Sequence, residues 1–263
     1  MQISGSTVLL TGATGGLGHA IARSLGARGA KLILTGRRGE VLEPLAAELG
    51  ARALSVDLSA RPELQRLIDT VGDIDILIAN AALPASGTLD TFSVEEIDRA
   101  LDVNVRAPIM LAHALAPGML ARGRGALVFI SSLSGKTATP GTALYNASKF
   151  ALRGFASALR ADMREGGVGV SAVFPGFIRD AGMFADAGVK LPPGVGTRAP
   201  EDVAKAVVTA IEHNRGEIDV APLALRASTT FAGMAPELAA RIARKLGSDD
   251  ITRQMHAGQR EKR

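Results

Sequence analysis

Tyr145 and Lys149 stand four residues apart in Tyr145-Asn-Ala-Ser-Lys149. On a helix that spacing puts two side chains on one face with Cβ atoms roughly 5–6 Å apart. A free tyrosine, with a pKa of about 10, is a poor acid or base at neutral pH, but a nearby ammonium favours the phenolate and pulls the pKa down. The pair therefore suits proton exchange with a substrate oxygen. Tyr145 is the single tyrosine in 263 residues, which sets it apart from routine core filling. An amphipathic pair snorkelling at a helix start has the same spacing, so the motif takes its meaning from what surrounds it. Just upstream, Ser131-Ser-Leu-Ser-Gly135 forms a small loop leading into the helix.

Short runs of Val, Ile and Leu alternate with helical patterns along the chain, the signature of βαβ units around a buried parallel sheet. The runs place seven strands near Val8–Leu10, Leu32–Thr35, Ala53–Val56, Ile74–Ile78, Ala126–Ile130, Val170–Phe174 and Ile218–Val220. The turn Thr11-Gly-Ala-Thr-Gly-Gly-Leu-Gly18 follows the first strand and opens a helix to about Arg28. Its glycines let backbone approach a pyrophosphate, and the helix start offers free N–H groups and a partial positive charge. In the order strand, turn, helix, this reads as a dinucleotide site. Gly12, Thr14, Gly16, Leu17 and Gly18 are its candidate contacts.

The second strand ends in Thr35-Gly-Arg-Arg38. NAD sites commonly place a carboxylate near this point for the ribose hydroxyls. Gly36 has none, and Arg37 offers a permanently charged fork suited to a 2′-phosphate, so NADP(H) is preferred, with NAD(H) the alternative. Asp57, followed by Leu58, ends the third strand, where it could cap the adenine or simply make a turn. Ser93-Val-Glu-Glu96 has the form of a capping box. The helix it opens runs through Asp102-Val-Asn-Val105 and includes Pro108, whose missing N–H deprives the Asn104 carbonyl of its usual partner. The expectation there is a kink, either without a role or holding a water that joins a proton path.

Composition narrows the function classes. The chain has no cysteine, hence no disulfide or thiolate zinc site, and its four histidines lie far apart, so no metal centre is expected. The net charge is only +4 and tryptophan is absent, which argues against nucleic-acid binding. No leader-like or membrane-spanning apolar run is evident, so a soluble, cytoplasmic protein is expected. One domain should span residues 1–263, with a lid over about 177–199 and a helical extension over about 222–263. The lid segment contains Met183, Phe184, Leu191, Pro192-Pro193 and Gly194-Val-Gly196, favouring a hydrophobic substrate. The helix expected from Pro236 to Leu246 is apolar on one face and cationic on the other. Packing against the body or a second subunit is the leading reading, shallow lipid contact the lesser one.

With these pieces in hand, the chain resembles the short-chain dehydrogenase/reductase family of NAD(P)-dependent oxidoreductases from about Ser6 to Ala221. Thr11 to Gly18 is similar to the family's cofactor turn, Asn104 to its active-site asparagine, and Tyr145 with Lys149 to its catalytic pair. The family's spacing selects Ser132, thirteen residues before the tyrosine, leaving Ser131 and Ser134 as bystanders. Asn80 and Ala81 match its segment beside the adenosine ribose, and Pro175, Gly176 and Ile178 its segment beside the nicotinamide. The resemblance implies an α/β fold: a Rossmann-like, doubly wound, seven-stranded parallel sheet with helices on both faces. It also implies hydride transfer to or from a small-molecule carbonyl or secondary alcohol. Tyr145 would donate the proton, Ser132 would bond the same oxygen, Lys149 would lower the tyrosine pKa and bond the nicotinamide ribose, and Asn104 would hold a water. A homodimer or homotetramer follows, with the helices of Asn104 and Tyr145 at an interface.

Three departures from the family stand out. Ala79-Asn80-Ala81-Ala82 has alanine where the family has glycine, and Asp180 replaces a threonine near the pyrophosphate, where it must point away or be offset by Arg179. About forty residues follow Ala221. A 3-oxoacyl-thioester reductase, meeting an acidic carrier through Arg122 and Arg124, is the close rival. A non-catalytic NADP(H)-binding regulatory or scaffold protein is the rival from another class.

Overall fold

The computed structural model describes residues 1–188, 191 and 195–245. Its strands β1 (Thr7–Leu10), β2 (Lys31–Gly36), β3 (Arg52–Ser55), β4 (Ile76–Ala79), β5 (Gly125–Ile130), β6 (Val168–Pro175) and β7 (Glu217–Val220) fall on the seven apolar runs. They form one all-parallel sheet in the order β3-β2-β1-β4-β5-β6-β7. The fold is thus the doubly wound, Rossmann-like one expected. β4 begins later than the apolar run because Asp75 turns its carboxylate to the Thr7 N–H at 3.0 Å, leaving Ile74 in the core ahead of the strand.

Side chains alternate across the sheet, so each strand feeds two cores. Leu9, Leu77, Leu127 and Phe129 face helices α3 (Arg61–Val71), α5 (Ala107–Ala121) and α6 (Ala143–Asp162). Val8, Leu10, Ile78 and Val128 face α1 (Gly16–Gly26), α2 (Gly39–Leu49) and α8 (Pro200–His213). Burial on both faces explains why the five inner strands read as apolar runs, whereas β3 and β7, at the sheet's borders, are only partly buried. The winding direction reverses between β1 and β4, and the carboxyl ends of these strands open a crevice there, where ligands of such sheets bind.

Helix α4 (Val94–Leu101) begins with the capping box: the Ser93 hydroxyl accepts from the Glu96 N–H, and the Glu96 carboxylate accepts from the Ser93 N–H. The expected kink at Pro108 takes another form. One wide π turn, Asp102–Arg106, joins α4 to α5, and Pro108 lies in the first turn of the new helix, where a missing N–H costs nothing. The connection after β6 holds the short helix α7 (Gly182–Asp186) and is pinned at its base, where Arg179 N–H donates to the Arg198 carbonyl and Arg198 N–H to that of Phe177, both at 2.9 Å. After β7 come α9 (Leu223–Met234) and α10 (Pro236–Lys245). Pro192, Pro193, Gly194 and the expected helix end at Leu246 lie outside the described residues. Among the described residues no helix is long and apolar enough to cross a membrane.

Candidate active site

The end of β5 and the start of α6 bring Ser132, Tyr145 and Lys149 to one cavity of about 1000 Å³. The loop between them is drawn tight. Ser131 hydroxyl donates to the Lys149 carbonyl at 3.0 Å, and a Cβ at Gly135 would lie 2.6 Å from that same oxygen. Ser131 is therefore a brace between strand and helix, more than the bystander expected. Ser134 contributes its N–H, donated to the Ser132 hydroxyl at 3.1 Å. Asn146, next to the tyrosine, donates at 2.7 Å to the carbonyls of both Ser134 and Thr137 and accepts from the Thr142 hydroxyl. Nothing in the sequence marks it except its place beside Tyr145.

Lys149 is buried, its ammonium 5.6 Å from the Tyr145 ring centroid and donating to the Ile130 carbonyl at 3.1 Å. Burial lowers its pKa to about 8. Burial also pushes the Tyr145 hydroxyl up to about 12, opposed by a hydrogen bond with Ser132. The lysine-driven depression expected of the tyrosine is not what the site displays: withdrawal of the phenol from water dominates, Ser132 is what opposes it, and the amine is engaged by a main-chain carbonyl.

Asn104 is fully buried in the π turn. Its side-chain oxygen accepts from the Leu83 N–H at 2.7 Å, and its amide donates to the Leu83 carbonyl at 3.0 Å and to the Ser148 hydroxyl at 3.5 Å. The side chain thus ties the segment after β4 to α6 and does not line the cavity.

At the turn after β1, Gly12 has φ +66°, and a Cβ there would lie 2.7 Å from Ala81 Cα. A Cβ at Gly18 would lie 2.2 Å from the Gly12 carbonyl oxygen, and one at Gly16 would lie 2.3 Å from the Ala181 methyl. The turn is packed by backbone and small groups, and the amino end of α1 has no side-chain cap and no acidic residue in its first turn. These residues fit a phosphate group. Asn80 secures the turn, donating to the Thr11 and Gly12 carbonyls at 3.0 and 3.1 Å, while Thr11 hydroxyl accepts from the N–H groups of Asn80 and Ala81 at 3.1 Å. Thr11 opens the turn in the sequence reading but received no role of its own there, because a threonine before glycines carries no distinctive signal.

At the end of β2, Gly36 is bare for a steric reason: an added Cβ would lie 2.6 Å from the Thr14 side chain. Arg37 is exposed, and Arg38 donates to the Thr14 carbonyl at 2.6 Å. The structure therefore brings a second arginine to the turn, which the sequence reading passed over. Asp57 accepts from the N–H and hydroxyl of Ser59 at 3.0 and 2.7 Å, with Arg99 3.6 Å away. Burial raises its pKa, but Ser59 and the charges of Arg37 and Arg99 outweigh this and hold it below the usual carboxylate range. Of its two expected readings, the turn is the one its contacts display. Leu58 packs its side chain into the core, leaving only its backbone for a ligand. Asp180, at φ +66°, points to solvent and pairs with Arg179 at 3.3 Å.

Leu17, Asn80, Pro175, Gly176 and Ile178 line the same cavity as Ser132, Tyr145 and Lys149. Its far wall comes from Met183 and Phe184 of α7, Leu225 and Phe231 of α9, and Ala239 and Ile242 of α10. The part played by α9 and α10 is a tertiary fact that local patterning does not reveal.

Comparisons with known proteins agree with this geometry. The sequence profile of the short chain dehydrogenase family matches residues 6–190. A ketoacyl reductase, HetN, of Nostoc is 34% identical over 227 residues, covering 83% of this chain and 79% of its own. A dehydrogenase/reductase SDR family protein 7-like of Anopheles gambiae is 32% identical over 258 residues, covering 90% of this chain and 81% of its own. Among solved structures, a short-chain dehydrogenase from Sphingobium yanoikuyae in complex with NADPH superposes with a TM-score of 0.76 at 28% identity, covering 89% of this chain and 95% of its own.

Proposed function

The chain belongs to the short-chain dehydrogenase family of oxidoreductases acting on CH–OH and C=O groups, and from that premise we propose that it is NADP(H)-dependent and acts on a hydrophobic carbonyl or secondary alcohol. The observation that carries this reading is the convergence of Ser132, Tyr145 and Lys149 on a cavity walled by Phe177, Met183, Phe184, Leu225 and Phe231. When bound, the dinucleotide supplies or accepts the hydride at its nicotinamide. The remaining steps belong to the chain. In reduction, Tyr145 gives its proton to the carbonyl oxygen as that oxygen gains charge, while the Ser132 hydroxyl donates a hydrogen bond to it. The Lys149 ammonium stabilises the phenolate left behind. Gly12, Thr14, Gly16, Leu17 and Gly18 receive the pyrophosphate, Asn80 and Ala81 border the adenosine ribose, and Pro175, Gly176 and Ile178 border the nicotinamide. Arg37 and Arg38 take the 2′-phosphate. The Asn104 side chain is committed to Leu83, so any water it holds rests on its main-chain carbonyl.

Calorimetric titration with NADPH and NADH at one ionic strength tests the cofactor reading. Charge-assisted hydrogen bonds are worth roughly 1.5–3 kcal/mol, so NADPH should bind about 10- to 150-fold more tightly, and Arg37→Ala should erase most of that margin. Equal affinities would overturn the reading.

The likeness to HetN favours a second reading, a 3-oxoacyl-thioester reductase. Of the two arginines suited to an acidic carrier, Arg122 is already paired with Asp73 at 2.9 Å, while Arg124 is more exposed and 3.6 Å from Asp75. Rates on a 3-oxoacyl thioester against a free hydrophobic ketone separate the readings. A homo-oligomer joined through α5 and α6, with all residues in one catalytic domain, completes the proposal; sedimentation velocity measures its mass.

A further inference from the structure

Helices α9 and α10 make a hairpin that is mostly solvent-facing: of residues 223–242, Thr229 alone is buried. Five of the ten large apolar side chains exposed among the described residues lie on it. Leu223, Phe231 and Met234 recur at helical spacing on α9, and Leu238 and Ile242 on α10, so the exposed groups form stripes. Met234 is 82% exposed and Leu223 77%. The stripes border the cavity, since Phe231 and Ile242 also line its wall.

The charge of this region is as lopsided as its polarity. The sequence of the two helices, residues 223–245, holds Arg226, Arg241, Arg244 and Lys245 against Glu237 alone, so the hairpin carries a net charge of +3 in a chain whose total is +4. A second copy seated on the hairpin would face these positive helices with its own. A bilayer bearing anionic headgroups offers the complement to both features: an apolar layer for the stripes and negative charge for the cations beside them. We propose that the α9–α10 hairpin is a docking surface for anionic lipid bilayers, with Leu223, Met234 and Leu238 entering the headgroup boundary and Arg241 at the phosphates. The cavity would then open at the lipid surface, a consequence that rests on its reading as the substrate site. Vesicle binding is measured without substrate, so the failure of one reading is distinguishable from failure of the other.

The test is flotation of the full-length protein with vesicles of phosphatidylcholine alone and of phosphatidylcholine mixed with phosphatidylglycerol. The protein should float with the mixed vesicles, stay behind with the neutral ones, and leave the mixed vesicles as salt is raised. Met234→Glu with Leu238→Glu should cut partitioning about tenfold or more, since each removes an apolar side chain from the lipid. Arg241→Glu should cut it about fivefold or more. The variants should keep the wild-type unfolding midpoint and dinucleotide affinity, because Met234, Leu238 and Arg241 lie outside the cavity lining. No flotation with mixed vesicles at low salt overturns the proposal, as does equal flotation with neutral ones or wild-type behaviour of the double variant. A double variant that splits an oligomer without altering flotation, or capture of an acidic carrier protein with no vesicle binding, assigns the face to a protein and overturns it too.

Discussion

A phenol held near about 12 keeps its proton across the neutral range, which suits Tyr145 to giving one up as a substrate oxygen becomes basic. Tyr145→Phe should therefore bind dinucleotide normally yet lose roughly 10²–10⁴-fold in kcat, the usual worth of a positioned general acid; near-normal turnover would remove Tyr145 from the chemistry. Lys149 makes a separate, thermodynamic prediction. Its amine releases its proton near 8 in the folded chain and near 10.5 when unfolded. Between those values the unfolded chain holds more protons, so stability rises with pH; below about 8 the cost of burying the charge is present in full. That cost is roughly 3 kcal/mol. In urea titrations from pH 8 to 10, wild type should gain stability relative to Lys149→Met, and parallel curves would contradict the assignment. Tyr145 opposes this only above about pH 10, where the unfolded phenol ionises first.

Among the elements, the loop bearing Ser132 is anchored from behind by Lys136. Its ammonium lies 2.6 Å from Asp219 and 2.8 Å from Glu217 on β7 and 4.1 Å above the Phe174 ring; Glu217 in turn pairs with Arg153 of α6 at 2.7 Å. Cutting this anchor with Lys136→Met should leave dinucleotide affinity unchanged and lower kcat, because Ser132 loses its fixed position. Lys136→Arg should restore part of the rate, whereas a purely structural loss would lower the unfolding midpoint and the affinity together. At the start of α4, Ser93→Ala removes half of a reciprocal cap and should cost about 1 kcal/mol in denaturant titration. Much at this scale was legible in the chain itself. Strands buried on both faces announce themselves as apolar runs, and the capping box and glycine turn are local chemistry. The π turn was half legible: Pro108 marks a missing donor, but whether a helix kinks or widens depends on how Asn104 is held by Leu83, a contact from another element. Arg38 was passed over for its neighbour because the direction of a side chain after a strand is set by the turn it meets, here the Thr14 carbonyl. The wall supplied by α9 and α10 was hidden for the same reason, since an amphipathic pattern shows a face without saying what lies opposite.

For the molecule as a whole, the described residues form two cores back to back, with the reactive groups and the glycine turn gathered along the carboxyl edge of the sheet. Chemistry thus sits where strands end, and the C-terminal helices close over it from one side. The sheet's two lateral borders behave differently. β3 and β7 are only four residues long, and they carry Arg52 on one side and Glu217 and Asp219 on the other, the last two locked into ion pairs. A short, charged border offers a neighbouring molecule little backbone to extend, so the sheet stops at seven strands. Crowding this protein should therefore bring no strand-by-strand growth into fibres, and any self-association is left to its helices.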